Sequence, residues 1–326
     1  MSIKDSVLQA LTENKGAFIS GEELSKNMEV SRTAVWKAIK TLREEGYPIE
    51  AVTNRGYKLA PDKWLITEDT LKLALPAKYK NNRLYIYDTL DSTNIRAKQL
   101  ALENAPHGTV VIARQQTAGR GRLGRSFFSP REGIYISIIV RPDFDLTKSV
   151  LVTSAASVAV AESIESICGM DAKIKWVNDI YADNKKVCGI LTEGITDFET
   201  GQIESLVIGI GVNTTIKDFP EDLLDIAGAV EGDYSKSSLA ASIISRTLDL
   251  MDTIEDRSFI STYREKSLVI GKSVKVFKGV YKSLPEEELE SRPARVLDID
   301  ENGCLVVLYP DGTRESLTSG EITVRL

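Results

Sequence analysis

One histidine and three cysteines are all the chain offers for imidazole or thiolate chemistry, and both shortages exclude function classes. His107 lies between Pro106 and Gly108, a turn setting, so a Ser-His or Cys-His nucleophile would depend on a badly placed base. Cys168, Cys188 and Cys304 lie far apart with no C-x-x-C pair, which argues against a disulfide framework or a zinc site. With no histidine beside it, Cys188 reads as a small buried filler. Positive charge is also short. The 41 Lys and Arg stand against 47 Asp and Glu, a net charge of -6, so any nucleic-acid contact must come from a local patch. No apolar run approaches the roughly 18 residues of a membrane span, and the start MSIKDSVLQA lacks a signal-peptide core. The expectation is a cytoplasmic protein with no membrane partner.

What is present divides into three stretches, in keeping with 326 residues and a prior of about 150 residues per domain. In residues 1–62, Ile3, Val7, Leu8 and Leu11 recur at helical spacing. Ser20-Gly21-Glu22-Glu23 is a capping box that opens a second short helix with Leu24 and Met28 inward. Ser31 caps a third helix carrying Val35, Ile39 and Leu42 on one face and ended by Gly46. YPIEAVTNRGYKLAP then alternates around the turn Thr53-Asn54-Arg55-Gly56, as a β-hairpin does. Three helices and a hairpin make a winged helix-turn-helix. Its third helix, entered through Ser31, would expose Arg32, Thr33, Lys37 and Lys40 to a major groove, with Arg55 at the wing tip. The same residues also fit a solvated face or a protein-docking surface, because residues 1–60 hold nine Lys or Arg against eight Asp or Glu. DNA binding is favoured because the basic residues fall on the helix and wing that would need them.

Beyond the linker APDKWLIT, residues 63–270 turn to mixed α/β. LYIYDTL, GTVVIAR, GIYISIIVRP and ESLVIGIGVN read as strands, and TKSVLVTSAASVAVAESIESICG as a long helix rich in small residues. KIKWVNDIY and KKVCGILTEGI read as a hairpin around Ala182-Asp183-Asn184, and a further helix as roughly Ser237 to Arg257. A mixed sheet with its chemistry at the strand ends follows. In residues 271–326, VKVFKG, ARVLDID, CLVVLYP and ITVRL are separated by DENG and PDGT turns, which predicts a small β-barrel or sandwich. The EEELE run reads as a solvated loop. The fold class is α+β, multidomain.

Four polar segments exceed what folding requires. Gly119-Arg120-Gly121-Arg122-Leu123-Gly124-Arg125 matches the letters of a dinucleotide loop, yet no strand runs into it and no helix leaves it. It is a basic loop suited to an anion, fed by Gln115-Gln116-Thr117-Ala118. Asp91-Ser92-Thr93-Asn94 follows a strand, where Asp91 and Ser92 could simply cap the next helix. Lys175-Trp176-Val177-Asn178-Asp179 puts a lysine and an Asn-Asp pair at a strand end. Lys186 opens the strand KVCGILTE, either aimed into a partly desolvated site or reaching back to water. Gly209-Ile210-Gly211-Val212-Asn213 is a second glycine-spaced strand end.

DSTN, QTAGRGRxGR, KWxND, K-x-x-GIL-x-E and IGIGVN in this order resemble the biotin protein ligase family, and the preceding winged helix resembles its bifunctional ligase-repressor branch. The resemblance spans essentially the whole chain. It implies a central domain similar to the class II aminoacyl-tRNA synthetase core and a C-terminal SH3-like β-barrel. It further implies that biotin is adenylated with ATP and Mg2+ and then passed to a lysine of biotin carboxyl carrier protein, and that the adenylate-bound chain forms a homodimer on operator DNA. Carried over by motif, Ser92, Thr93, Asn94, Gln116, Arg120, Gly121, Arg122 and Lys186 should bind biotin. Arg122, Arg125, Phe127, Lys175, Asn178 and Asn213 should bind ATP or adenylate. Lys186, the three loop arginines and Asp179 should carry catalysis, with magnesium near Asp179. Two positions depart from the pattern: Phe127 stands where the family commonly has Trp, and Val177 where it commonly has Pro. A lipoate or octanoate ligase and a non-catalytic biotin-sensing transcription factor are the competing readings.

Overall fold

The computed structural model describes residues 3–14, 17–44, 47, 49–53, 55–59, 65–141, 149–196, 203–214, 216, 219–277, 291–318 and 321–324. The chain clusters into two units, residues 1–65 with 235–237, and residues 66–234 with 238–326. The expected helix end at Gly46, the turn residue Asn54 and the EEELE run lie outside the described residues.

In the first unit, helices α1 (Ile3–Glu13), α2 (Gly21–Asn27) and α3 (Arg32–Glu44) precede an antiparallel hairpin of β1 (Ile49–Val52) and β2 (Gly56–Leu59). Helix starts fall where short polar side chains can accept the orphan amides. Ser20 Oγ accepts from Glu23 N at 3.0 Å, and Ser31 Oγ from Ala34 N at 3.1 Å. Val7, Leu8, Leu11, Leu24, Val35, Ile39, Leu42 and Ile49 form the core. Ile3, expected on the same face, is 43% exposed, because the first helical residue lies a full turn before Val7. Gly56 (φ +96°) lets β2 reach back to Ile19, whose carbonyl oxygen a Cβ at 56 would strike. This is the expected winged helix-turn-helix.

The second unit begins with α4 (Glu68–Ala74), β3 (Leu84–Leu90), α5 (Thr93–Leu102), β4 (Val110–Gln116), β5 (Ile134–Val140) and α6 (Ser149–Cys168). It continues through β6 (Lys173–Lys175), β7 (Asp179–Ala182), β8 (Lys185–Thr196) and β9 (Ile203–Val212) to α7 (Lys236–Asp252) and α8 (Phe259–Glu265). The seven strands form one sheet in the order β3-β4-β5-β9-β8-β7-β6. It is mixed as expected: β3 runs parallel to β4 and every other pairing is antiparallel. Strand period sorts its two faces. Val111, Ile139 and Val207 pack on Ala97, Leu100 and Ala101 of α5, while Val110, Ile112, Ile138 and Ile208 belong to the larger core that includes α6, α7 and α8.

Three expectations are corrected here. KIKWVNDIY is not one strand: β6 and β7 are antiparallel neighbours with Trp176-Val177-Asn178 turning between them. The second helix closes at Asp252, and Ile254–Asp256 is a separate single turn. Contrary to the expected absence of any long apolar run, the helix Val150–Cys168 is long and apolar enough to cross a membrane by length and composition, with mean hydropathy 1.4; it is 72% buried inside the protein, as a core helix is. The hairpin at Asp183-Asn184 is as expected, both residues having positive φ, the requirement of a two-residue turn that matches strand twist.

The chain ends in an antiparallel sheet of β10 (Ser273–Phe277), β11 (Ser291–Ile299), β12 (Leu305–Leu308), β13 (Arg314–Leu317) and β14 (Glu321–Val324), ordered β13-β12-β11-β10-β14. Among the described residues no pairing closes β13 onto β14. This sheet is seated on the mixed-sheet core: Trp176 Nε1, buried, donates to Gly303 O at 2.9 Å. Gly303 approaches α6 closely enough that a Cβ would lie 2.9 Å from Ser154 Oγ.

Candidate active site

A cavity of about 370 Å³ opens over one face of the mixed sheet, within the range typical of small-molecule sites. Its walls come from all the polar segments but one residue. Ser92, Thr93, Asn94, Gln116, Arg120, Gly121, Arg122, Arg125, Phe127, Lys175, Asn178, Asp179 and Lys186 all line it. Asn213 does not. It is buried, and its side-chain amide donates to Gly228 O at 3.0 Å and to Lys186 O at 3.5 Å, tying β9 to the segment beyond it.

One end is built from hydrogen-bonding groups. Helix α5 begins at Ser92, whose side chain makes no cap bond; Asp91 Oδ1 instead accepts from Ser92 N at 2.6 Å. Capping therefore does not account for Ser92, which is buried at the cavity wall. Gln116 is held at both ends of its amide. Its Oε1 accepts from Thr93 N at 2.8 Å and Thr93 Oγ1 at 3.1 Å, and its Nε2 donates to Ser129 Oγ at 3.0 Å. Ser129 in turn donates to Phe127 O at 2.8 Å, so this end is bonded to the return limb of the basic loop.

The other end is charged. GRGRLGR folds on itself through Gly121 N to Arg125 O (2.8 Å) and a single turn at Arg122–Gly124, where Leu123 and Gly124 take positive φ. Its three arginines line the cavity. Arg122 donates to Asn178 Oδ1 at 3.2 Å, and Asn178 is fixed by donating to Ile190 O at 2.9 Å. Lys186 Nζ stands 2.6 Å from Asp179 Oδ1, with both side chains about three-quarters buried. That settles the alternative for Lys186: its ammonium faces the cavity. Lysine and arginines thus gather beside one carboxylate, and positive charge is in excess where an anionic ligand would lie.

Sequence reasoning missed the floor. Gly189 and Gly211 are cross-strand partners on β8 and β9, and a Cβ on either would lie 3.0 or 2.5 Å from the Phe127 ring. They form a trough that seats the ring. Glycine inside a strand marks close approach, and that signal was available. Tyr135, Trp176 and Phe277 also line the cavity. Phe277 comes from the C-terminal sheet, about 90 residues beyond Lys186 in sequence, and nothing in its local pattern marks it. Tyr135 donates to Pro130 O at 2.7 Å, and burial pushes its phenol well above the usual range. Burial and then Asp179 raise Tyr181 to about 12, so both stay neutral. Cys188 is wholly buried and its thiol is pushed up by burial, as a filler should be. His107 is outside the cavity, accepting from Arg141 N at 3.2 Å.

On α3, Arg32, Thr33, Lys37 and Lys40 are exposed together, as expected. Arg32 pairs with Glu22, Ser31 serves as the cap, and Arg55 lies over the Phe18 ring at 4.3 Å. Trp36, 53% exposed on the same face, was not anticipated.

Residues 86–213 match the Biotin/lipoate A/B protein ligase family and residues 4–58 an HTH domain. The chain is 38% identical over 250 residues, 76% of each chain, to the bifunctional ligase/repressor BirA of Bacillus subtilis. It is 28% identical to that of Escherichia coli over 98% of this chain and 96% of the other. Among solved structures it is similar to a biotin protein ligase from Aquifex aeolicus in complex with biotin and ATP (27% identity, TM-score 0.62, 74% of this chain and 98% of that one).

Proposed function

Because the chain belongs to the biotin/lipoate A/B protein ligase family, in its branch with an N-terminal helix-turn-helix, we infer that it adenylates biotin with ATP, passes the biotin to a carrier protein and also represses transcription. The biotin carboxylate attacks the α-phosphorus of ATP, giving biotinoyl-5'-AMP and releasing pyrophosphate. A carrier-protein lysine amine then attacks the acyl carbon, and AMP leaves as the amide forms. The supporting observation is that Lys186 and three loop arginines share one cavity with a polar end in which the Gln116 amide is held by hydrogen bonds at both its oxygen and its nitrogen.

The first step brings a carboxylate against a polyphosphate, so like charges must be neutralised before attack. Lys186 bridges the carboxylate and the α-phosphate in this reading, leaving Asp179 to receive or orient the incoming amine. Arg120, Arg122 and Arg125 hold the remaining phosphate charge, and Phe127 covers the adenylate side. Ser92, Thr93, Asn94 and Gln116 face the ureido ring, whose fixed donors and acceptors reward a polar wall. Magnesium fits a limited role. Among the described residues Asp179 is the one carboxylate lining the cavity, and no cluster of three metal-ligating side chains exists. The ion would therefore be held chiefly by the phosphates it arrives with, where it screens their charge.

The acceptor is biotin carboxyl carrier protein, the repressor form is an adenylate-bound homodimer on operator DNA, and the setting is cytoplasmic. Residues 1–62, 63–270 and 271–326 serve as DNA-binding, catalytic and SH3-like C-terminal domains. Biotin-dependent exchange of pyrophosphate into ATP tests the reading. Exchange with biotin and not with lipoate is expected; no exchange with biotin, or equal exchange with lipoate, would refute it. The polar end disfavours a lipoate or octanoate site, and the retained lysine and arginines disfavour a non-catalytic sensor.

A further inference from the structure

IYISIIV is an apolar strand except for Ser137, which is wholly buried on β5. Ser137 is the register partner of Gly209 on β9, and Gly209 is the partner of Leu191 on β8. Paired residues share a face, so this row forms a level platform under Asn94. The fit is close: a Cβ at Gly209 would lie 2.1 Å from Asn94 Oδ1. Two residues along β8 on the same face stands Glu193, and four residues along α5 stands Lys98. Glu193 takes Asn94 Nδ2 on Oε2 at 2.8 Å and Lys98 Nζ on Oε1 at 2.7 Å.

These contacts define the Asn94 amide. Its nitrogen donates to Glu193 and to Leu191 O at 3.3 Å, and a backbone carbonyl can only accept, so the nitrogen end is assigned without ambiguity. Its oxygen accepts from Ser137 Oγ at 2.6 Å. Both protons are then engaged, and what is left of the side chain's capacity is one lone pair on Oδ1. Asn94 lines the cavity, whereas Glu193 and Ser137 do not; their hydrogen bonds reach the cavity wall through Asn94, and Glu193 also feels the charge of Arg120.

We propose that Glu193 and Ser137 are positioning residues that lock Asn94 as a hydrogen-bond acceptor, so that this end of the cavity selects a ligand ring bearing an N–H donor. The inference rests on the biotin reading and deepens it: a ureido ring supplies that donor, and an acyl chain ending in a dithiolane ring does not. Without Glu193 only the longer bond to Leu191 O, at 3.3 Å, holds the nitrogen end, and the amide can turn its NH2 toward the ligand, setting donor against donor.

Pyrophosphate exchange by the full chain tests this, with biotin and ATP varied separately. Glu193→Ala should raise KM for biotin about tenfold or more, the scale of one lost buried hydrogen bond, with KM for ATP and kcat within about twofold. Ser137→Ala, which removes one oxygen atom from the core, should give a smaller split in the same direction and serves if Glu193→Ala does not fold. In an Asn94→Ala background either change should add nothing further to KM for biotin. An unchanged KM for biotin in the folded variants, a joint change of kcat and both KM values, or full additivity with Asn94→Ala would overturn the inference. No exchange in the unmodified chain would instead overturn the biotin reading, and this inference with it.

Discussion

Lys186 and Asp179 lie in contact at 2.6 Å with about a quarter of each side chain exposed, so each can be changed without opening the core. Lys186→Ala should abolish biotin-dependent exchange while the unfolding midpoint stays within a few degrees of the parent. Asp179→Asn should leave exchange largely intact and slow transfer to the carrier lysine about a hundredfold, the usual scale for a lost general base; full-rate transfer would remove that role. Glu193 adds a pH prediction. Burial alone would raise its carboxyl, but the hydrogen bonds from Lys98 and Asn94 outweigh it and hold the group below the ordinary glutamate value. A depressed carboxyl stabilises the fold above its unfolded value, about 4.3, and that part is lost as pH falls through the lower folded value. Urea melts should therefore show acid sensitivity that Glu193→Gln partly lacks, by no more than about 1 kcal/mol because about a quarter of the side chain remains open to solvent screening. Most cavity residues were legible in the sequence, since Lys186, the arginines and the DSTN set are polar where folding does not demand polarity. Asn213 was expected in the cavity and does not line it, because an asparagine bonded to backbone carbonyls and one facing a ligand have the same sequence signature.

Helix α3 and the β6-β7 turn show what can be read at the level of the element. Periodicity and a capping serine placed α3 after Ser31 with an end at Gly46, and the helix runs Arg32–Glu44; Ser31→Ala should cost about 1 kcal/mol of stability in denaturant melts. If its exposed face meets DNA, Lys37→Ala and Arg55→Ala should each weaken operator binding and lower the salt slope by about one; an unaltered slope would leave the face a solvated one. KIKWVNDIY had no such punctuation. Three residues turn between β6 and β7 without Gly or Pro, and tertiary contacts hold the bend, among them the Trp176 Nε1 bond to Gly303 O. Trp176→Phe should leave that buried carbonyl unpaired and destabilise by about 1 to 3 kcal/mol, with the C-terminal sheet loosened first in hydrogen exchange.

For the whole molecule, the prediction concerns coupling of ligand to assembly. If adenylate promotes pairing of two chains, sedimentation with biotin and ATP should show a dimer that neither ligand alone produces, and operator affinity should rise with it. Identical DNA affinity with and without both ligands would leave a ligase whose winged helix does something else. The three-part reading of the chain came from changes in pattern, from helices to mixed α/β to short strands. The cavity itself cuts across two of those parts, since Phe277 of the C-terminal sheet stands in its wall.

Residue types and spacing were enough to set the three helices and hairpin of the first unit, the mixed sheet, the basic loop and the lysine at the head of β8, because amphipathic period, caps and misplaced polarity are local quantities; they did not reveal α4, α8, β13 or the break between β6 and β7. Tertiary structure decided which polar groups face one another: that Ser137 and Glu193 grip Asn94, that Gly189 and Gly211 form a seat for Phe127, and that Asn213 turns away. Those outcomes depend on register between strands far apart in the chain, and a shift of one residue would send every side chain to the opposite face.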